Sequence, residues 1–116
     1  MKCHLLRNDR FKSKDEVKFT HVEDFVNSDH FDLYLCKCEK CEQLYIGCFI
    51  EICSFTDDDD CWNFWLPVKE EDIKAIRKDH SIAIKLIQRR KHITWHPDGT
   101  VDWCSGREIA LIRGPG

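Results

Sequence analysis

The sequence predicts an α+β fold: an antiparallel β-sheet of about four to five strands with two or three helices packed on it. Three observations carry this reading. Apolar runs of strand length recur around Phe31, Leu44 and Cys61, separated by turn-forming stretches. A helical stripe follows at Ile73, Ile76, Ile84 and Ile87. Pro97-Asp98-Gly99 then joins two short apolar segments, with proline fixing φ and glycine accepting a positive φ. At 116 residues and 42% hydrophobic content, the chain reads as one domain, 1–116, with enough apolar material for a core.

Thr20-His21-Val22-Glu23 has the form of a capping box. It predicts a short helix through Val26, with Val22, Phe25 and Val26 on one face. Phe31-Asp32-Leu33-Tyr34-Leu35-Cys36 alternates weakly and predicts a strand. From Leu44 to Phe55 the chain is almost continuously apolar, as a strand buried on both faces would be. Glu51 is the odd charge inside it and needs an arginine partner or a crevice. The four aspartates Asp57, Asp58, Asp59 and Asp60 form the next turn. Cys61-Trp62-Asn63-Phe64-Trp65-Leu66 returns as an antiparallel partner and stops at Pro67.

Glu70-Glu71-Asp72 opens a helix with acids where the helix dipole favours them. The stripe breaks near Asp79-His80-Ser81, and Ser81 is placed to cap a second segment. His92-Ile93-Thr94-Trp95-His96 and Thr100-Val101-Asp102-Trp103-Cys104 are the two arms of the last hairpin.

No run of 18 apolar residues exists, so no membrane-spanning helix is expected. The N-terminus lacks the apolar region of a signal peptide, which predicts a cytoplasmic chain with reduced cysteines. The net charge of −3 is split. Residues 1–72 hold 9 Lys+Arg against 17 Asp+Glu, and residues 73–116 hold 9 against 4. Opposite patches of this kind steer charged partners.

Cys36, Cys38 and Cys41 fall within six residues, and the chain has eight cysteines. Cys38 and Cys41 have the spacing that lets two thiolates reach one metal from a tight turn. They are the candidate metal ligands, and a structural zinc is the cofactor such a pair would take. A second closely spaced pair is missing, so the other ligands must come from afar. Cys3, His4, Cys48, Cys53, Cys61, His96 and Cys104 are the candidates. Cys36 is expected to point the other way, and Cys48 and Cys53 to face opposite sides of their strand. The competing reading is that several cysteines are small buried hydrophobes.

No catalytic residue is assigned. No phosphate-binding glycine loop, zinc-protease helix or nucleophile elbow occurs, and no spacing selects a histidine as base for one thiol. The chain is therefore expected not to be an enzyme. Asp57–Asp60 beside Trp62 instead make an acidic rim with an aromatic anchor, suited to a basic protein. Lys85, Arg89, Arg90, Lys91 and His92 near Trp95 offer the opposite case, contact with nucleic acid. The acidic half of the chain opposes it.

One stretch carries a resemblance. Cys38-Glu39-Lys40-Cys41-Glu42-Gln43-Leu44-Tyr45 is followed by Phe49 and Glu51, an Asp-rich turn, Leu66-Pro67-Val68 and a Glu-rich helix. This resembles a group of small bacterial proteins with the motif Cys-x-x-Cys-Gly-Gln-Leu-Tyr and then Phe-x-Glu. Those proteins are similar to immunity proteins of polymorphic or contact-dependent toxin systems. The resemblance covers about residues 31–72 and implies a cytoplasmic protein that binds and neutralises a cognate toxin domain. Asp57, Asp58, Asp59, Asp60 and Trp62 would be the contacts. The alternative is a zinc-binding structural or nucleic-acid-binding module. Glu42 departs from the motif, taking the place of a glycine that relaxes the turn.

Overall fold

The computed structural model describes residues 3, 5, 10–11, 14–52 and 60–105. The strands are β1 (Arg10–Phe11), β2 (Phe19–Asn27), β3 (Phe31–Cys38), β4 (Leu44–Ile52), β5 (Asp60–Pro67), β6 (Lys91–Trp95) and β7 (Val101–Ser105). Two helices, α1 (Glu70–Lys78) and α2 (Ser81–Arg89), lie in sequence between β5 and β6. All strands join one antiparallel sheet in the order β1-β7-β6-β5-β4-β3-β2. The α+β class is as expected, but the sheet is larger than four to five strands. Six strands have five to nine residues, and the two-residue β1 extends the sheet further.

One added strand is β2, where the capping-box pattern predicts a helix. Its register against β3 shifts between His21 and Glu23 and again between Asp24 and Val26. Each bulge interrupts the two-residue alternation, so Val22, Phe25 and Val26 acquire a spacing that imitates one helical face. Pairing with the exposed edge of β3 outweighs the weak local helix preference. Arg77 on α1 also ties this edge strand down, donating to the Glu23 carboxylate at 2.8 Å.

The sheet is covered on both faces, which accounts for the unbroken apolar run of β4. On one face Leu33, Leu35, Ile46, Cys48, Ile50, Phe64 and Leu66 pack with Ile73, Ile76, Ala83, Ile84 and Ile87 of the helices. On the other face Cys36, Cys38, Tyr45, Trp65, Ile93 and Val101 pack with Cys3, Leu5, Phe11 and Val17 of the N-terminal segment. Adjacent residues such as Leu35 and Cys36, or Phe64 and Trp65, thus serve different cores. Phe64 has no exposed surface, and its truncation to alanine would cost about 3–5 kcal/mol.

The helices start as their acids suggest. The Asp72 carboxylate accepts the Lys69 amide at 3.0 Å and is gripped by both Arg90 guanidinium nitrogens at 2.9 and 3.2 Å, tying the first turn of α1 to the end of α2. The break between helices falls at Asp79, but the cap of α2 is not Ser81. Asp79 Oδ1 accepts both the Ser81 amide (3.1 Å) and the Ser81 hydroxyl (2.7 Å).

Candidate metal centre

The Cys38–Cys41 turn is built by backbone bonds. β3 ends at Cys38, whose amide donates to the Gln43 carbonyl at 2.8 Å, and the Glu42 amide returns to the Cys38 carbonyl at 3.0 Å. Closing this loop puts Glu42 at φ 62°, a left-handed conformation. A side chain in that conformation costs about 1–2 kcal/mol. Gln43 wedges the turn against the neighbouring strand, its amide donating to the Leu44 and Val68 carbonyls at 3.1 and 3.3 Å.

The turn presents Cys38 buried and Cys41 exposed, and Cys3 reaches it from the N-terminal segment. The sulfurs of Cys3, Cys38 and Cys41 all lie within 4.8 Å of one another. A tetrahedral zinc with Zn–S bonds of about 2.3 Å sets its sulfurs about 3.8 Å apart. The group therefore needs only small side-chain adjustments to accept the ion. Burial pushes the Cys3 thiol up to about 11, and the neighbouring Cys41 thiol adds to the shift. A bound cation would reverse this by holding the thiolate form. Three soft donors, two buried and one at the surface, fit a thiolate-philic metal with one further ligand from outside the group.

The expected pair is thus joined by Cys3, one of several remote candidates in the sequence. Cys38 and Cys3 are 35 positions apart, and such a contact leaves no local periodicity to read. Cys36 does not point away from Cys38, because β3 stays regular through its last residue; both face the N-terminal segment. Two residues along a strand span about 6.6 Å, so Cys36 stays outside the three-sulfur group. Cys48, His96 and Cys104 lie on the helix-covered face or its extension along β6 and β7, and Cys61 sits opposite Glu51. Cys53 and His4 lie outside the described residues.

The expected contact residues are only partly described. Asp57, Asp58 and Asp59 lie outside the described residues, and Asp60 opens β5 opposite Ile52. Trp62 is half-buried against the helix-side core, its ring parallel to Phe64 with centroids 6.1 Å apart and in T-shaped contact with His96 with centroids 5.3 Å apart. At this end of the sheet, the Glu51 amide donates to the His30 carbonyl and the Glu51 carboxylate lies 3.9 Å from the His30 ring. Among the described residues, the ring that stands beside the Glu51 carboxylate is a histidine. Asp29 lies in the same β2–β3 turn, and Asp32 follows it as the second residue of β3, opposite Phe49.

Three residues of the basic segment have structural neighbours of their own. Arg90 is held by Asp72, His92 is fully buried beside Phe64, and Trp95 packs on the opposite face of the sheet. Among the described residues, no helix is long and apolar enough to cross a membrane. Comparison with protein families, with characterised proteins and with solved structures finds no match to this chain.

Proposed function

We propose that this chain is an immunity protein: a non-enzymatic domain that binds and neutralises a cognate bacterial toxin domain by protein–protein contact. The observation that carries the reading is the acidic end of the sheet. There Glu51 lies opposite Cys61 at the start of β5, where in sequence the Asp57–Asp60 run ends and the half-buried Trp62 follows, and Asp29 and Asp32 stand at the β2–β3 turn of the same end. Acidic residues and a half-buried aromatic at one end of a sheet suit the basic substrate cleft of a nuclease-type toxin, and the acids speed association with it. The motif resemblance over residues 31–72 supports the same class. The test is co-expression with the toxin domain encoded beside the gene. Rescue of growth is expected, together with a strongly slowed association at low salt when the four aspartates are replaced by lysine. Unchanged association in that variant would remove the acidic run from the mechanism, and absence of binding would overturn the reading.

A second reading is a zinc-containing binding module, favoured by the convergence of Cys3, Cys38 and Cys41. Those three residues would hold the ion, and its chemistry there would be structural: joining the N-terminal segment to the β3–β4 turn. Metal analysis of protein purified without added metal distinguishes the two. Unfolding on chelation would favour the module, and metal-free folded protein would remove it.

A further inference from the structure

The β6–β7 hairpin gathers a second set of donors, far from the three sulfurs in register and on the other face of the sheet. Its turn is locked by its own bonds. The Asp98 carboxylate accepts the Thr100 amide (2.9 Å) and hydroxyl (2.7 Å), the Gly99 amide donates to the His96 carbonyl, and Gly99 takes φ 94°. Beyond the turn, His96, Asp102 and Cys104 project from one face, because Asp102 and Cys104 are two apart on β7 and His96 is diagonal to Asp102.

Their polar atoms converge. His96 Nε2 is 2.9 Å from Asp102 Oδ1, Cys104 Sγ donates to the same Oδ1 at 3.1 Å, and Cys104 Sγ is 3.7 Å from His96 Nε2. A thiol, an imidazole and a carboxylate suggest a nucleophilic triad, but the geometry opposes it. Such a relay needs thiol and carboxylate on opposite ring nitrogens. Here both meet Nε2, so the three atoms form a triangle rather than a chain. That triangle is close to one face of a tetrahedral zinc shell, whose N–O and S–N or S–O edges are about 3.3 and 3.6 Å. Two edges need to widen by a few tenths of an ångström and the third already fits. The Trp62 and His96 rings pack edge to face with their centroids 5.3 Å apart, which limits rotation of the imidazole. Thr94, opposite Asp102 in register, adds a fully buried hydroxyl that finds no hydrogen-bond partner among the described residues. The His96 and Asp102 side chains keep 21% and 41% exposure, so water reaches the remaining position.

We propose that His96, Asp102 and Cys104 form a second transition-metal site, with three protein ligands and one position open to water or a small ligand. The mixed nitrogen, oxygen and sulfur set suits zinc or cobalt(II) and discriminates against magnesium and calcium. The site is separable from the Cys3, Cys38, Cys41 group and does not rest on the immunity reading.

Cobalt(II) titration of the metal-free full chain tests it, read by thiolate-to-cobalt absorption and competed with zinc. About two equivalents are expected for the wild type and about one for C38S/C41S. In that background H96A and C104S should each weaken cobalt binding at least about tenfold. A direct readout needs no variant: zinc should protect Cys104 of the wild type from iodoacetamide, located by mass spectrometry, whereas magnesium should not. An alkylation rate at Cys104 unchanged by zinc, or unaltered cobalt affinity in H96A and C104S, would overturn the proposal.

Discussion

Trp65 donates its indole N–H to the Tyr34 hydroxyl at 3.1 Å, reaching across the strand that separates them. Gly47 lies between, opposite Tyr34 in one register and opposite Trp65 in the other. A Cβ at Gly47 would sit 2.2 Å from the Tyr34 ring, so the glycine is the space that the tyrosine occupies. Three neighbouring strands are thereby fixed in register by one aromatic bridge over a missing side chain.

Gly47→Ala should therefore displace Tyr34 and destabilise the fold by about 1–3 kcal/mol for overpacking. A further loss of about 1 kcal/mol is expected if the Trp65 bond breaks. Urea unfolding measures the sum. The cost should largely vanish in a Tyr34→Ala background, because the clash is then gone. Equal costs in both backgrounds would show that Tyr34 does not lie over Gly47.

Glu42 occupies a left-handed position, and its side chain makes an exposed contact with Lys37 at 3.5 Å. Such a surface pair contributes little. Glu42→Gly should raise stability by about 0.5–1 kcal/mol, after allowing for the greater freedom of glycine in the unfolded chain. Glu42→Val should lower it. Chemical denaturation of the three proteins gives the order.

Metal removal should loosen one defined segment. If Cys3, Cys38 and Cys41 share an ion, chelation should cost on the order of 2–4 kcal/mol, as loss of a loop-closing cross-link does. It should also expose the N-terminal segment to protease before the sheet. Cys38→Ser should reproduce both effects and be insensitive to chelator. Identical melting and cleavage with and without chelator would exclude a structural ion there.

Stability should fall on the alkaline side. Burial pushes the Cys36 thiol from its ordinary 9.0 up to about 12, and the Tyr34 phenol from 10.0 up to about 12. Each group holds its proton in the folded state where the unfolded chain has released it. Their contribution is complete below the unfolded values and is lost as pH rises from about 9 to about 12. Cys36→Ala should flatten the lower part of that decline. An unchanged slope would mean that Cys36 is not a source of it.

Acid should act through Asp72. Bonding to Arg90, followed by the Lys69 amide, holds its carboxyl below the ordinary value of 3.8. The stabilisation is present above the unfolded value and is lost as pH falls through the depressed one. Asp72→Asn should be less stable than the wild type near neutrality, and the gap should close toward low pH. A gap independent of pH would assign the loss to the cap alone.

Much of the architecture was legible because its signals are local. The apolar run of β4, the isoleucine stripe of the helices and the Pro97-Asp98-Gly99 turn each express a short-range rule, and the Cys38-x-x-Cys41 spacing belongs to one turn. β2 was misread because its two bulges erase the alternation that marks a strand, and only the edge of β3 supplies the reason for it to extend. The two donor groups needed the folded sheet. Cys3 meets Cys38 and Cys41 only because the N-terminal segment covers one face, while His96 meets Asp102 and Cys104 only through hairpin register. Residue type and neighbouring positions determine the tendency to form strands, helices and turns. Which distant side chains share a few ångströms depends on strand order and on which face each core covers, and neither is encoded at any single stretch of the chain.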